Sequence, residues 1–319
     1  MGRHVVRELT AQGRRARVLD LAPWPEAPAE VEVLQASIRN EVGLKLALRE
    51  VTGVIHAAAL SSLWRRSPQD FEDINVQGSR ILAEQAKAAG VRRFVYVSSH
   101  TTLISGPPGV GTTELDERID PPPEELLGPY PRAKREGERL ALALAGDGFE
   151  PVCAIPTLPA GPGDASLTAP TRLLLDLAAG RLPAILETRL DFVDVRDLAR
   201  SLIAAMDRGR PAERYLLSGH GFRLSNVAEQ VAEAVGRRPV KLKASYRVAL
   251  AAAAFEEALG ALTGRAPAAP LTGVRLAGRE VEFSNAKACA ELGHGVRPFD
   301  ETLSDFVRWA REMGRLRRA

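Results

Sequence analysis

At 319 residues, 45% of them hydrophobic, the chain has the length for one large α/β domain or two smaller ones and the apolar content for a sizeable core. Its 43 basic and 40 acidic residues leave a formal charge of +3 with the signs interspersed, which excludes a basic face for nucleic acid. Val248 to Phe255 is too short to span a bilayer, and neither Cys153 and Cys289 nor the 5 scattered histidines have metal-ligand spacing, so no integral membrane segment and no metal are expected, with a reducing cytoplasm the simplest setting.

In chain order, Arg3 to Gln12 reads as a helix, Ala16 to Asp20 and Val31 to Leu34 as strands, Val42 to Arg49 as a helix, Gly53 to His56 as a strand and Pro68 to Ala89 as a long helix. Arg93 to Ser98 and Pro151 to Ile155 are apolar, β-rich runs that predict buried strands. Between them lie a Gly- and Pro-rich loop, Gly106 to Pro123, and a helix, Pro129 to Ala145. This alternation predicts a parallel sheet with crossover helices. After Pro156, helices are expected at Thr168 to Ala179, Ser225 to Val235, Ala244 to Leu262 and Asn285 to Leu292. Leu190 to Val193 and Arg214 to Leu217 are expected as strands returning to the first sheet, and Arg311 to Arg318 as a solvated basic tail.

Tyr130 and Lys134 stand four residues apart on one predicted helix and therefore share a face. A fixed ammonium near a phenol favours phenolate and brings the tyrosine toward proton exchange at neutral pH. Ser98 and Ser99 end the strand Arg93 to Ser98, and in an open α/β sheet ligands bind beyond the carboxyl ends of strands. A serine there can donate to a substrate oxygen while Tyr130 moves the proton; the bland alternative is a turn serine.

With those motifs in order, the chain resembles the extended short-chain dehydrogenase/reductases of the NAD-dependent epimerase/dehydratase group, from residue 2 to about residue 312. The resemblance is carried by His56-Ala57-Ala58-Ala59, Asn75-Val76-Gln77-Gly78, the Ser99, Tyr130, Lys134 set, Pro156-Thr157 with Gly161-Pro162-Gly163-Asp164, Asp191 to Ala199, and Glu291-Leu292-Gly293. It implies an α/β fold: a Rossmann-like doubly wound parallel sheet with a smaller, mainly helical substrate-binding region. The expected division is 1–157 with 189–217 for the NAD-binding domain, 158–188 with 218–298 for the substrate region, and 299–319 for a C-terminal helix and basic tail.

A Rossmann unit needs a first strand, a glycine turn, a helix whose N-terminus meets the pyrophosphate and an acid about twenty residues on. Gly2 opens the candidate helix and Asp20 closes the next strand, whereas no first strand or earlier glycines precede them in this sequence. The expectation is that about a dozen residues carrying that strand and turn lie upstream of Met1 in the natural gene, and that without them the neighbouring strands are left unpaired beside a groove. Asp20 can accept from both ribose hydroxyls and repels a 2′-phosphate, and Leu21-Ala22-Pro23 supply no arginine, so NAD is expected before NADP.

By resemblance, Ala57, Ala58 and Ala59 pass beneath the cofactor, Ser37 and Ile38 make a weak or backbone-borne adenine contact, Pro156 and Thr157 flank the nicotinamide, and Ser98 is also expected to bind the cofactor. Asn75 is either structural or cofactor-binding. The resemblance further implies that Tyr130 exchanges the substrate's hydroxyl proton, that Lys134 holds the nicotinamide ribose and tunes Tyr130, and that Ser99 orients the substrate oxygen. Leu190 before Asp191, with Arg189 one place early, departs from the nucleotide-sugar epimerase pattern, as do the missing R-P-G-D run and the missing asparagine near Thr157. The second half resembles the hopanoid-associated sugar epimerase and dihydroflavonol reductase-like branch, through Leu182 to Ile185, Arg214 to Gly219 and Phe283 to Lys287.

The Ala- and Leu-rich stretch from Val248 to Leu262 either lines a pocket for a lipid-like or polyketide-like alcohol or ketone, or is a purely structural amphipathic helix. Three functions stay open: an NAD-linked oxidoreductase acting on a secondary alcohol or ketone, a sugar epimerase or dehydratase with tightly held NAD, and a non-catalytic cofactor-sensing protein. The partner expected is a small-molecule substrate, and the resemblance implies a homodimer through the two long helices.

Overall fold

The alternation read from the sequence is realised in the structure, a computed structural model that describes residues 1–108 and 112–316; Gly109 to Gly111 of the expected loop and Arg317 and Arg318 of the expected tail lie outside the described residues. Helix α1 (Gly2–Ala11) leads to β1 (Arg17–Asp20), β2 (Glu32–Gln35), α2 (Glu41–Ala47) and β3 (Gly53–His56). Pro68 to Ala89, expected as one helix, comprises α3 (Gln69–Phe71), a π-helical segment (Glu72–Gly78) and α4 (Ser79–Ala88). Then come β4 (Arg93–Val97), β5 (Thr113–Leu115), α5 (Pro129–Ala143) and β6 (Glu150–Pro156). The second half adds β7 (Leu158–Ala160), α6 (Ala169–Ala179), β8 (Ile185–Leu186), β9 (Arg189–Asp194), α7 (Val195–Arg208), β10 (Arg214–Leu217), β11 (His220–Arg223) and α8 (Leu224–Val235). It closes with β12 (Lys243–Ala244), α9 (Tyr246–Thr263), α10 (Leu271–Ala277), β13 (Val281–Phe283), α11 (Ala286–Leu292) and α12 (Phe299–Glu312).

The central sheet is parallel, in the order β10-β6-β4-β3, with Ile55 beside Val95 and Val95 beside Val152. Its strands are buried on both faces, which is why β4 and β6 read as unbroken apolar runs rather than alternating ones. Phe94, Tyr96, Cys153 and Ile155 pack toward the side carrying Leu82 and Ala141, from α4 and α5. Val95, Val97, Val152 and Ala154 pack toward Leu198, Leu202 and Ala288, from α7 and α11.

Strands β1 and β2 pair with each other, in parallel, as a separate two-stranded sheet, and no backbone ladder joins β1 to β3 among the described residues. A cavity of about 2100 Å³ runs between them, bordered by Val18 and Leu19 on one side, Val54 and Ile55 on the other and Val5 and Val6 of α1. This cavity continues to the carboxyl ends of β1, β3 and β4.

Leu190 to Val193 departs from expectation. It does not rejoin the central sheet but lies in β9, paired in parallel with β7 and antiparallel to β11. One face of β9 packs on the second apolar cluster: Phe192 lies on Phe299 at 5.4 Å between ring centroids, and Phe222 on the same ring at 5.0 Å, beside α12 and α8, while Val193 on the opposite face packs with the central core. Arg214 to Leu217 does return, as β10 beside β6. Immediately after β9, Asp194 caps α7 by accepting the Arg196 N–H at 2.8 Å, while its other oxygen accepts from Thr302 at 2.8 Å. The Asp-Phe-Val-Asp-Val-Arg-Asp motif is thus a strand-to-helix junction.

Candidate functional site

The cavity reaches the end of β4, where backbone leaves the sheet and side chains face open space. Ser99 has extended backbone and caps the short turn His100–Leu103, its Oγ accepting from the Thr101 N–H at 3.3 Å and lying 3.0 Å from Thr101 Oγ1. Tyr130 enters the same space from the first turn of α5. That turn begins Gly128-Pro129: proline suits the first helical position, and Gly128 adopts φ +114, where a Cβ would also collide with Thr272. Ser99 and Tyr130 both line the cavity, each 8% exposed, and Phe71 packs edge-on to the tyrosine ring.

Lys134 follows one turn later but does not border the cavity. Its Nζ donates to the Val97 carbonyl at 2.6 Å and sits 4.3 Å above the Tyr96 ring, so the ammonium ties the end of β4 to α5. Burial lowers the lysine to about 8, against smaller upward pulls from Cys153 and Glu138. Burial also raises the Tyr130 phenol, opposed by the neighbouring Ser99 hydroxyl; the lowering by Lys134 expected from helical spacing does not appear.

The other sequence-derived residues divide into cavity walls and scaffold. Gly2, Asp20, Ser37, Ala57, Ala58, Ala59, Ser98, Pro156 and Thr157 all border the cavity. Gly2 faces open space at the N-terminus of α1, Asp20 is exposed with Oδ1 accepting from the Ala22 N–H at 2.9 Å, and Ala57 and Ala58 are exposed to the cleft. Ile38 touches the cavity, but its side chain is buried in the core, against Gly78. Asn75 is a correction: it is fully buried and does not border the cavity. Its amide clamps Leu60, Oδ1 accepting from the Leu60 N–H at 2.8 Å and Nδ2 donating to the Leu60 carbonyl at 3.1 Å, which fixes the turn after Ala57 to Ala59.

Glu138 was not singled out from the sequence. It is fully buried, accepts from Ser98 Oγ at 2.8 Å, and pairs with Arg135 and Arg214, each at 2.6 Å. The signal that could have found it is its spacing, four residues beyond Lys134 on the helix face that carries Tyr130.

Beyond Ser99 and Tyr130 the lining mixes apolar side chains, Leu63, Ile104, Leu190, Leu276, Val281 and Phe283, with the charged Arg189, Asp191 and Arg279. None of it comes from Val248 to Leu262, so the pocket-lining alternative for that stretch is overturned; the helix packs on α10, which supplies Leu276, and turns its other side to solvent. The arrangement has a helix N-terminus and a carboxylate at one end, small side chains along its floor, and a hydroxyl pair beside an apolar chamber at the other.

A sequence model of the NAD dependent epimerase/dehydratase family matches residues 1–218. Among curated proteins, a "Putative dihydroflavonol 4-reductase" of Synechocystis sp. is 30% identical over 322 residues, covering 98% of this chain and 92% of the relative. "Sterol demethylase protein B" of Methylococcus capsulatus is 28% identical over 319 residues, covering 98% and 96%. Among solved structures, gox2253 superposes with a TM-score of 0.84 at 29% identity, covering 99% of this chain and 96% of its own.

Proposed function

The chain belongs to the NAD dependent epimerase/dehydratase family, and on that premise we infer that it transfers hydride between nicotinamide and a secondary alcohol or ketone carried on an apolar skeleton. The coarser statement, an NAD-dependent enzyme of the extended short-chain dehydrogenase/reductase type, follows from membership and from the relatives. The observation that supports the finer one is that Ser99 and Tyr130 open into a single cavity to which Leu63, Ile104, Leu190, Leu276, Val281 and Phe283 contribute most of the bulky side chains nearby. The residues fit a dinucleotide: the open N-terminus of α1 at Gly2 suits its phosphates, Asp20 its ribose, Ala57 to Ala59 its close passage, Ser37 and Ile38 its adenine, and Ser98, Pro156 and Thr157 its nicotinamide end. Bound there, NAD supplies the hydride donor or acceptor. In this reading residues 1–157 with 189–217 hold the cofactor, and 158–188 with 218–298 shape the substrate side.

The protein's own part is proton transfer and orientation. Burial keeps Tyr130 protonated at neutral pH, so its O–H is available to a substrate oxygen that gains charge as a ketone is reduced. Ser99 Oγ, beside it, directs a second hydrogen bond to that oxygen. Lys134, with its proton affinity lowered to about 8, holds the strand end through Val97 and stands one helical turn from the phenol as a group able to reload it. The apolar side chains of the lining, and Leu190 directly before Asp191 where the nucleotide-sugar pattern has an arginine, favour this substrate class over a nucleotide sugar, although Arg189 also borders the cavity.

The test is turnover of a panel of apolar secondary alcohols and ketones, followed by bulk NADH absorbance. Tyr130→Phe is expected to abolish turnover while leaving NAD affinity within a few-fold; full activity in that variant would remove Tyr130 from the mechanism. Isomerisation of a sugar without bulk NADH would reassign the chain to the epimerase reading.

A further inference from the structure

Helix α9 carries an apolar stripe on its solvent side. Val248 is 63% exposed, Phe255 71%, Leu259 48% and Leu262 81%, and at helical spacing these four fall on one face, with the exposed Ala251 and Ala252 between them. Leu242, just ahead of the helix, is 65% exposed. Other large exposed apolar side chains among the described residues are Leu21 and Met313, standing singly, and the pair Val42 and Leu46 on α2; none of these makes a stripe of the length seen on α9. The opposite face of α9, through Ala253 and Gly260, is the one that packs on the protein, with Gly260 against Trp64.

The charges around the stripe have one sign. Lys241 and Arg247 flank its N-terminal end, and Arg65, Arg66 and Arg265 its C-terminal end, where Arg66 lies against Gly264. All five are exposed, and none has a carboxylate within 4.0 Å among the described residues. The two acids of the helix are turned away: Glu256 accepts from the Ala268 N–H at 2.8 Å and Glu257 from the Leu271 N–H at 2.7 Å, so both carboxylates are spent fixing the loop into α10. No helix among the described residues is long and apolar enough to cross a membrane. This apolar face, roughly 21 Å long at the helical rise and flanked at both ends by cations without carboxylate partners, mostly from the segments around the helix, is suited to meet an anionic bilayer surface.

We propose that α9 docks the enzyme onto an anionic phospholipid bilayer, with Val248, Phe255, Leu259 and Leu262 entering the interface and Lys241, Arg247, Arg65, Arg66 and Arg265 meeting the headgroups. The place in the fold gives docking a purpose. Helix α10, packed directly on α9, contributes Leu276 to the cavity wall, and Leu63, next in sequence to the Trp64 that supports α9, contributes another part of it. Docking therefore brings the apolar chamber to the surface from which an apolar substrate is drawn. That consequence rests on the alcohol or ketone reading above; the docking itself does not.

The experiment is sedimentation of the full chain with large vesicles of phosphatidylcholine alone, or with about a third phosphatidylglycerol, in low and high salt and without substrate. Binding is expected to the anionic vesicles and to weaken with salt. The triple variant Phe255→Ser, Leu259→Ser, Leu262→Ser should lose roughly tenfold or more in partitioning at an unchanged unfolding midpoint, because the replaced side chains contact solvent. Arg66→Glu with Arg247→Glu should abolish the preference for anionic lipid. No binding to either vesicle, or equal binding by the triple variant, overturns the proposal; so does a dimer in light scattering that the triple variant splits, since the occupant of the stripe is then a second copy. Vesicle binding without turnover of any apolar alcohol or ketone would leave docking standing and sink the functional reading instead.

Discussion

Removing the Glu138 carboxylate is the sharpest test of how the site is held together. It is fully buried and neutralises two guanidinium groups whose side chains are only 8% and 13% exposed, those of Arg135 and Arg214, while accepting from Ser98 Oγ. In Glu138→Ala, Arg135 retains Asp120, but Arg214 is left with backbone carbonyls of Glu117 and Ile119 and no carboxylate partner. Breaking a buried pair from one side costs about 3–5 kcal/mol, and for a chain of this size that lowers the unfolding midpoint on the order of 10 °C. Glu138→Gln keeps the shape and an acceptor for Ser98, so a smaller loss is expected. A kinetic consequence follows, because Glu138 raises the proton affinity of Lys134: its removal lowers Lys134 below about 8, and the limb of the rate–pH profile governed by that lysine moves to lower pH. Scanning calorimetry and pH–rate profiles of both variants measure this. Midpoints within about 2 °C of the parent in both would show that the cluster is not the buried charge hub described.

The stability of the native state also carries a signature of Lys134. Its value is about 8 in the folded chain against 10.5 ordinarily, so between these pH values the unfolded chain holds a proton that the native one does not, and the lysine's contribution to stability rises with pH by about 1.4 kcal/mol per unit. Across that window the midpoint of the parent should rise relative to that of Lys134→Met as pH rises, because the cost of the buried ammonium is relieved; a constant difference contradicts the burial argument. Gly137→Ala should destabilise by about 1–3 kcal/mol, since a Cβ there would meet the Asn75 carbonyl and the Tyr96 hydroxyl where α5 crosses the π-helical segment. Denaturation at parental midpoint would show that the two helices can separate freely.

What was legible in the sequence was what depends on short-range periodicity. The spacing of Tyr130 and Lys134, the serines ending a β-rich run, and Asp20 at a strand end all follow from local pattern, and the structure sets Ser99, Tyr130 and Asp20 around one cleft. Tertiary competition was not legible. Nothing within Leu190 to Val193 indicates that Phe222 and Phe299, distant in sequence, draw that strand into another sheet. Asn75 reads as a helix-start residue, yet its amide is used on a backbone segment fifteen positions away. Val248 to Leu262 has so many small apolar residues that its period does not announce which face is inward; that is decided by Gly260, which admits Trp64, and by the two glutamates that cap the following loop.

The division of the sheet into two ladders has a consequence for how tightly a dinucleotide can be held. Asp20 belongs to the β1–β2 pair, whereas Ser99 and Tyr130 are fixed to the β3–β4–β6–β10 body, and no backbone hydrogen bond connects the two among the described residues. A ligand reaching from one to the other acts as a strut. Its binding free energy then draws on contacts to both ladders, so a change at Asp20 and a change at Ser99 should each weaken it. The same linkage runs in reverse: a contact that favours this placement of the β1–β2 pair strengthens binding at both ends.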